Sequence, residues 1–106
     1  MTQNIAPLEF TLKSGSNKGQ RRIWIEGSRL LSAGFRPGIM LAKAIDGDSL
    51  ILSVVSERRL KKHSIAGTLD RPILDLCGKW VTRFMGDHPK VAVTLSRGRI
   101  TIRPTT

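Results

Sequence analysis

Arg58, Arg59, Lys61 and Lys62 stand almost side by side in the stretch SERRLKKHSIAGTLD (56–70). Guanidinium and ammonium groups at this density suit phosphate oxygens, which they meet through charge-assisted hydrogen bonds and long-range attraction. Other cations stand at regular places. Arg21 and Arg22 precede one alternating apolar stretch, and Arg71 precedes another. Arg29 sits on a short helical segment and Arg36 in the turn after it, and Lys79 and Arg83 lie in a second helical segment. Arg and Lys also read guanine edges in the major groove. A charge run of this kind is also how a solvated face reads. The formal net charge of +10 favours a polyanionic partner over a merely solvated surface. These eleven residues are the candidate nucleic-acid-binding set.

The residues that could carry catalysis are sparse. His63 and His88 are the two histidines, and no His/Cys cluster has metal-ligand spacing. Cleavage of RNA without a metal needs a positioned general base and acid. Besides the histidines, only Asp46, Asp48, Asp75 and Asp87 could serve. Asp46 and Asp48 read as hairpin-turn residues, Asp87 as a loop cap, and Cys77 beside Gly78 as a small buried hydrophobe. The sequence assigns no catalytic residue, metal ligand or cofactor.

The elements that must position the cations fit a small domain. The chain has 106 residues and is 40% hydrophobic, enough for one thin core. Its single cysteine makes no internal disulfide, which suits a reducing compartment. No apolar run reaches the ~18 residues of a membrane span. MTQNIAPLEF lacks the basic and apolar regions of a signal peptide, so the expected location is the cytoplasm, or the nucleoid for a DNA binder.

Along the chain, Leu8, Phe10 and Leu12 alternate as in a strand, and SGSNKGQ (14–20) reads as a flexible loop. RRIWIE (21–26) is a strand with Ile23 and Ile25 on one face and Trp24 on the other. Ser28 is the expected N-cap of a short helix that ends at Gly34, after which Phe35 turns back to the core. IMLAKAI (39–45) is a strand with Ile39, Leu41 and Ile45 in phase, and DGDS (46–49) turns it into LILSVV (50–55). Residues 56–70 lack strand periodicity and read as a helical turn or a flexible linker.

The first half then returns. PILDLCGKWVTRFMGDHPKVAVTLSRGRITI (72–102) lies on RIWIEGSRLLSAGFRPGIMLAKAIDGDSLIL (22–52) with one deletion. Gly27 matches Gly78, and Leu50 and Leu52 match Ile100 and Ile102. A unit of about 30 residues cannot bury its own apolar face, whereas two can share a core. The chain therefore divides into a 1–20 N-terminal segment with a strand, a first unit at 21–55, a basic connector at 56–70 and a diverged second unit at 71–106. The two units, 21–106, are expected to form one barrel.

The first unit resembles the SymE toxin domain. Gly27, Leu30, Ala33, Gly34, Phe35, Gly38 and Leu50 fit that family's pattern over residues 22–54. The second unit fits it less closely, because Met85-Gly86-Asp87-His88 replaces the Ala-Gly-Phe segment. SymE is similar to the AbrB group. The resemblance thus implies a mainly β fold with short helices, an AbrB-like swapped-hairpin β-barrel, formed here as an intramolecular pseudo-dimer. Leu30 and Leu31 stand where AbrB-like proteins carry a basic pair. The function expected is nucleic-acid binding, with duplex DNA favoured over RNA, by a monomeric pseudo-dimer or a homodimer of these, and no membrane partner. The alternatives are a SymE-like toxin that cleaves or sequesters RNA, and a small module that binds an acidic protein.

Overall fold

The computed structural model describes residues 7–56 and 63–106. Arg58, Arg59, Lys61 and Lys62 lie outside the described residues, as does 57–62 of the expected connector, while its remainder, 63–70, forms two short strands and a turn rather than a helical turn or flexible linker. The first unit is preceded by β1 (Leu8–Lys13) and β2 (Gly15–Asn17). It continues through β3 (Gln20–Glu26), α1 (Ser28–Ser32), β4 (Met40–Asp46) and β5 (Ser49–Val55). Two short strands follow, β6 (His63–Ser64) and β7 (Ala66–Gly67). The second unit is β8 (Pro72–Cys77), α2 (Lys79–Met85), β9 (Lys90–Ser96) and β10 (Arg99–Thr105). The protein is mainly β, as expected, and no helix among the described residues is long and apolar enough to cross a membrane.

Six strands in the order β1-β9-β10-β5-β4-β6 form an antiparallel sheet that curls into a half-barrel. Four more, β2-β3-β8-β7, form a second sheet. Period-2 alternation supplies the core. Leu50, Leu52, Val91, Val93, Leu95, Ile100 and Ile102 point inward from the large sheet, and Ile23, Ile25, Leu74 and Leu76 from the small one. Leu30 of α1 and Val81 of α2, which occupy equivalent places in the repeat, are both fully buried. These side chains form a single cluster.

The registers follow the repeat. Across β3 and β8, Ile23 lies opposite Leu76 and Ile25 opposite Leu74, with Trp24 facing Asp75 at the midpoint. Laying Gly27 on Gly78 makes Ile23 equivalent to Leu74 and Ile25 to Leu76, so exchanging the units leaves this pairing unchanged. Across β5 and β10, Leu50 lies opposite Ile102 and Leu52 opposite Ile100, with Ile51 facing Thr101 at the midpoint. The same exchange preserves that pairing. Each unit's β4-type strand also has an added neighbour: β6 beside β4, and β1 beside β9.

Several local expectations are corrected. Residues 14–20 are not an open loop. Ser16 pairs with Arg21 and Asn17 with Gln20, leaving a two-residue turn in which Lys18 (φ 52°) and Gly19 (φ 80°) are both left-handed. This is the backbone of a type I′ hairpin, which the Gly/Ser composition concealed. Ser28 does not cap α1. The cap position is Gly27 (φ 83°), with no side-chain cap, and α2 likewise starts from Gly78 (φ 131°). The chain leaves each strand through a conformation that a Cβ resists, so glycine decides the corner. Ile45 does not enter the core but is 54% exposed. β4 pairs with β6 only at Met40 and Leu41, and its last residues overhang the core.

Gly34 does end α1. The Phe35 amide donates to the Leu30 carbonyl at 2.9 Å, and the Gly34 amide to Leu31 at 3.0 Å. This is a Schellman closure, and the buried Phe35 and Leu30 are the apolar pair that accompanies it. At the end of α2 the Gly86 amide instead donates to the Thr82 carbonyl four residues back, at 3.1 Å, where the repeat has lost a residue.

Candidate nucleic-acid interface

The strand β3 presents its two arginines to opposite faces. Arg21 shares its phase with the buried Ile23 and serves the frame. Its amide donates to Thr82 Oγ1 at 2.8 Å. Its guanidinium donates to Ser14 Oγ and to the Gly86 and His88 carbonyls, tying β3 to the end of α2. Arg22 faces outward with Trp24. Its guanidinium makes a bidentate pair with Asp75, at 2.8 and 2.9 Å, and lies 4.3 Å from the Trp24 ring centroid. The hydrogen bond to Asp75 raises its pKa further, against a smaller opposing effect of burial. Arg71 pairs with Glu26 at 2.9 Å. The two ion pairs tie β3 to β8 at opposite ends of their pairing, so Arg22 and Arg71 lie apart, each with its charge compensated.

The other expected residues are more open. Arg29 lies over the Phe10 ring, 4.2 Å from its centroid, and so links α1 to β1. Arg36, Lys79 and Arg83 are exposed. Arg83 rims a cleft of about 540 Å³ whose walls include Ile45, Trp80 and Phe84, with Asp48, Asp87 and His88 at its edge.

Sequence reasoning missed a second set of cations. Lys13, Lys90, Arg99 and Arg103 share the outer phase of the large sheet, opposite to the partly buried Leu12 and the buried Val91, Ile100 and Ile102 side chains. Between them the sheet carries mostly small or short residues, Thr11, Ala92, Thr94, Ser53 and Thr101, with Ile51 the one long aliphatic side chain at its centre and Glu9, opposite Thr94, an acid on the same face. Arg99 and Arg103 lie four residues apart and therefore on one face. Lys13 lies directly opposite Lys90. No linear scan finds this set, because antiparallel register brings together residues from the two ends of the chain. Strand phase in TLK (11–13) and RITIR (99–103) is the only trace.

His63 packs against Trp80 with the rings tilted at 42° and their centroids 5.4 Å apart, and Lys43 Nζ lies 3.9 Å from the Trp80 centroid. Burial lowers the His63 pKa from its ordinary value, and the Lys43 charge adds to the effect. His88 Nδ1 lies 3.2 Å from the Met85 carbonyl oxygen. Both rings are thus engaged in structural contacts. Among the described residues no group of three or more His, Cys, Asp or Glu side chains could hold a metal ion. Comparison with family models, with curated proteins and with solved structures finds no match.

Proposed function

We propose that this protein binds nucleic acid, with duplex DNA preferred, and that its two units form an intramolecular pseudo-dimer of swapped-hairpin type. The observation that carries the binding reading is the shortage of compensating acid. Among the described residues only Arg22 and Arg71 sit in ion pairs, so the cations of the large sheet's outer face and of α2 have no carboxylate within salt-bridge distance. A net charge of +10 on 106 residues produces a field that attracts a polyanion over a Debye length of about 8 to 10 Å. The self-consistent registers of β3 with β8 and of β5 with β10 support the pseudo-dimer. The SymE resemblance of residues 22–54 points the same way.

The aromatic rings favour a duplex over an unpaired strand. Single-strand binding relies on open rings on which bases stack. Here Trp24, Phe10 and Trp80 already have Arg22, Arg29 and Lys43 over their faces. Fluorescence anisotropy with labelled duplex DNA, single-stranded DNA and RNA, each at low and moderate salt, tests the reading. The expected result is tightest binding to duplex, with affinity falling steeply with salt. Absence of binding to every nucleic acid at low salt would overturn it. Defined RNA products in the same mixtures would replace it with the RNA-cleaving alternative.

A further inference from the structure

The antiparallel pairing of β1 with β9 opposes Lys13 and Lys90 directly, and the Ser14 amide donates to the Pro89 carbonyl at 3.0 Å just beyond them. Like charges facing across a strand pair repel and lower stability. Among the described residues neither lysine has a carboxylate within salt-bridge distance. Arg21 adds a third cation to the same place. Its guanidinium is held by the Ser14 hydroxyl oxygen and by the Gly86 and His88 carbonyls, all of them neutral acceptors. Its charge is therefore fixed in position and left uncompensated. Ser14 Oγ accepts from Arg21, which leaves its own O–H free to donate.

These groups line one open cleft of about 620 Å³, together with Ser16 and a single carboxylate, Asp87. Three cations against one acid leave the cleft positive. Its size exceeds that of a bare phosphate ion and accommodates a phosphate group with the ester attached to it. We propose that this cleft is a phosphate-binding site, in which the Lys13 and Lys90 ammonium groups clasp one phosphate and the Ser14 hydroxyl donates to it. The cleft stands without the nucleic-acid reading; where the phosphate belongs to a nucleic-acid backbone, the inference rests on that reading and gives it an anchoring point.

The full chain, labelled with 15N, is titrated with inorganic phosphate and, separately, with a short DNA duplex. Inorganic phosphate is expected to move the amide resonances of Ser14, Gly15, Ser16 and Lys90 and to raise the thermal midpoint. The double variant Lys13→Gln, Lys90→Gln should weaken that response by roughly tenfold or more, because both ammonium charges are gone. It should be at least as stable as the wild type in phosphate-free buffer, since the opposed pair is relieved. Asp87→Asn should tighten phosphate binding. An unchanged phosphate response in the double variant, with its fold intact, overturns the cleft. The duplex arm separates the sources. Loss of about one unit of log–log salt slope in the double variant places a backbone phosphate there. Loss of the inorganic-phosphate response alone makes the site one for free phosphate or a phosphomonoester. Phosphate binding in a chain that binds no nucleic acid keeps the cleft and removes the broader reading.

Discussion

His63 is half-buried against Trp80, and its imidazole has a pKa below the ordinary value, first through burial and then through the Lys43 charge. The unfolded chain therefore takes up this proton more readily than the folded one. The stability that His63 contributes is complete above the unfolded value of about 6.5 and is lost as pH falls through the lower folded value. The thermal midpoint should drop as the solution is acidified from neutrality, and His63→Gln should flatten that part of the profile; a variant as acid-sensitive as the wild type would count against the assignment. Arg29 acts at the same scale. Its guanidinium over Phe10 is worth about 0.5–1 kcal/mol at an exposed site. Arg29→Ala should lose that much by urea unfolding, with faster amide exchange in β1. Neither contact could be read in sequence, since each joins residues that only the fold makes neighbours. The same holds for Arg22 and Asp75. Both were visible as charged residues, but only the β3–β8 register reveals that one compensates the other.

The elements were legible where alternation was long. β3, β5, β9 and β10 follow from apolar residues at every second position, and all four bury the expected face. Alternation could not show β6 and β7, which are two residues each, or β2, whose pairing is set by a turn rather than by hydrophobicity. Ile45 misled for a related reason: phase states which way a side chain points but not whether anything stands there to cover it. The turn after β7 is a sharper constraint than its polar sequence suggests. Thr68 and Arg71 bond each other's backbone in both directions, at 3.1 and 3.0 Å, and Gly67 (φ 90°) feeds this turn. A Cβ on Gly67 would sit 2.2 Å from the Arg71 carbonyl oxygen, whereas one on Gly19 (φ 80°) would meet nothing within 4 Å. Gly19→Ala should cost only the left-handed strain of about 1 kcal/mol. Gly67→Ala should cost clearly more, by urea denaturation of both variants; equal losses would show that the turn yields. Within α1, Leu30→Ala should cost about 2–5 kcal/mol, the range for a fully buried leucine.

At the scale of the whole molecule, each half completes the other. β1 finds its partner in β9, β3 in β8 and β5 in β10, so a cut between the units leaves three strands of the first half with an unpaired edge. Residues 1–55 expressed alone should stay poorly folded or self-associate. A monomer with dispersed amide resonances from that fragment would contradict this dependence. The midpoints of the two shared seams carry a further consequence. Trp24 meets Asp75 at one and Ile51 meets Thr101 at the other. Assembled from two identical copies, a unit would have to set each such residue against its own twin. Two copies of the second would bring Asp75 against Asp75, a repulsion with nothing to answer it. Two copies of the first would lack Asp75, and Arg22 would lose the acid that holds it. Joining unlike units in one chain permits a tryptophan to face a carboxylate, and lets an arginine from one unit bind that carboxylate in the other. Because both halves belong to one chain, a change on one side of either seam needs no matching change on the other.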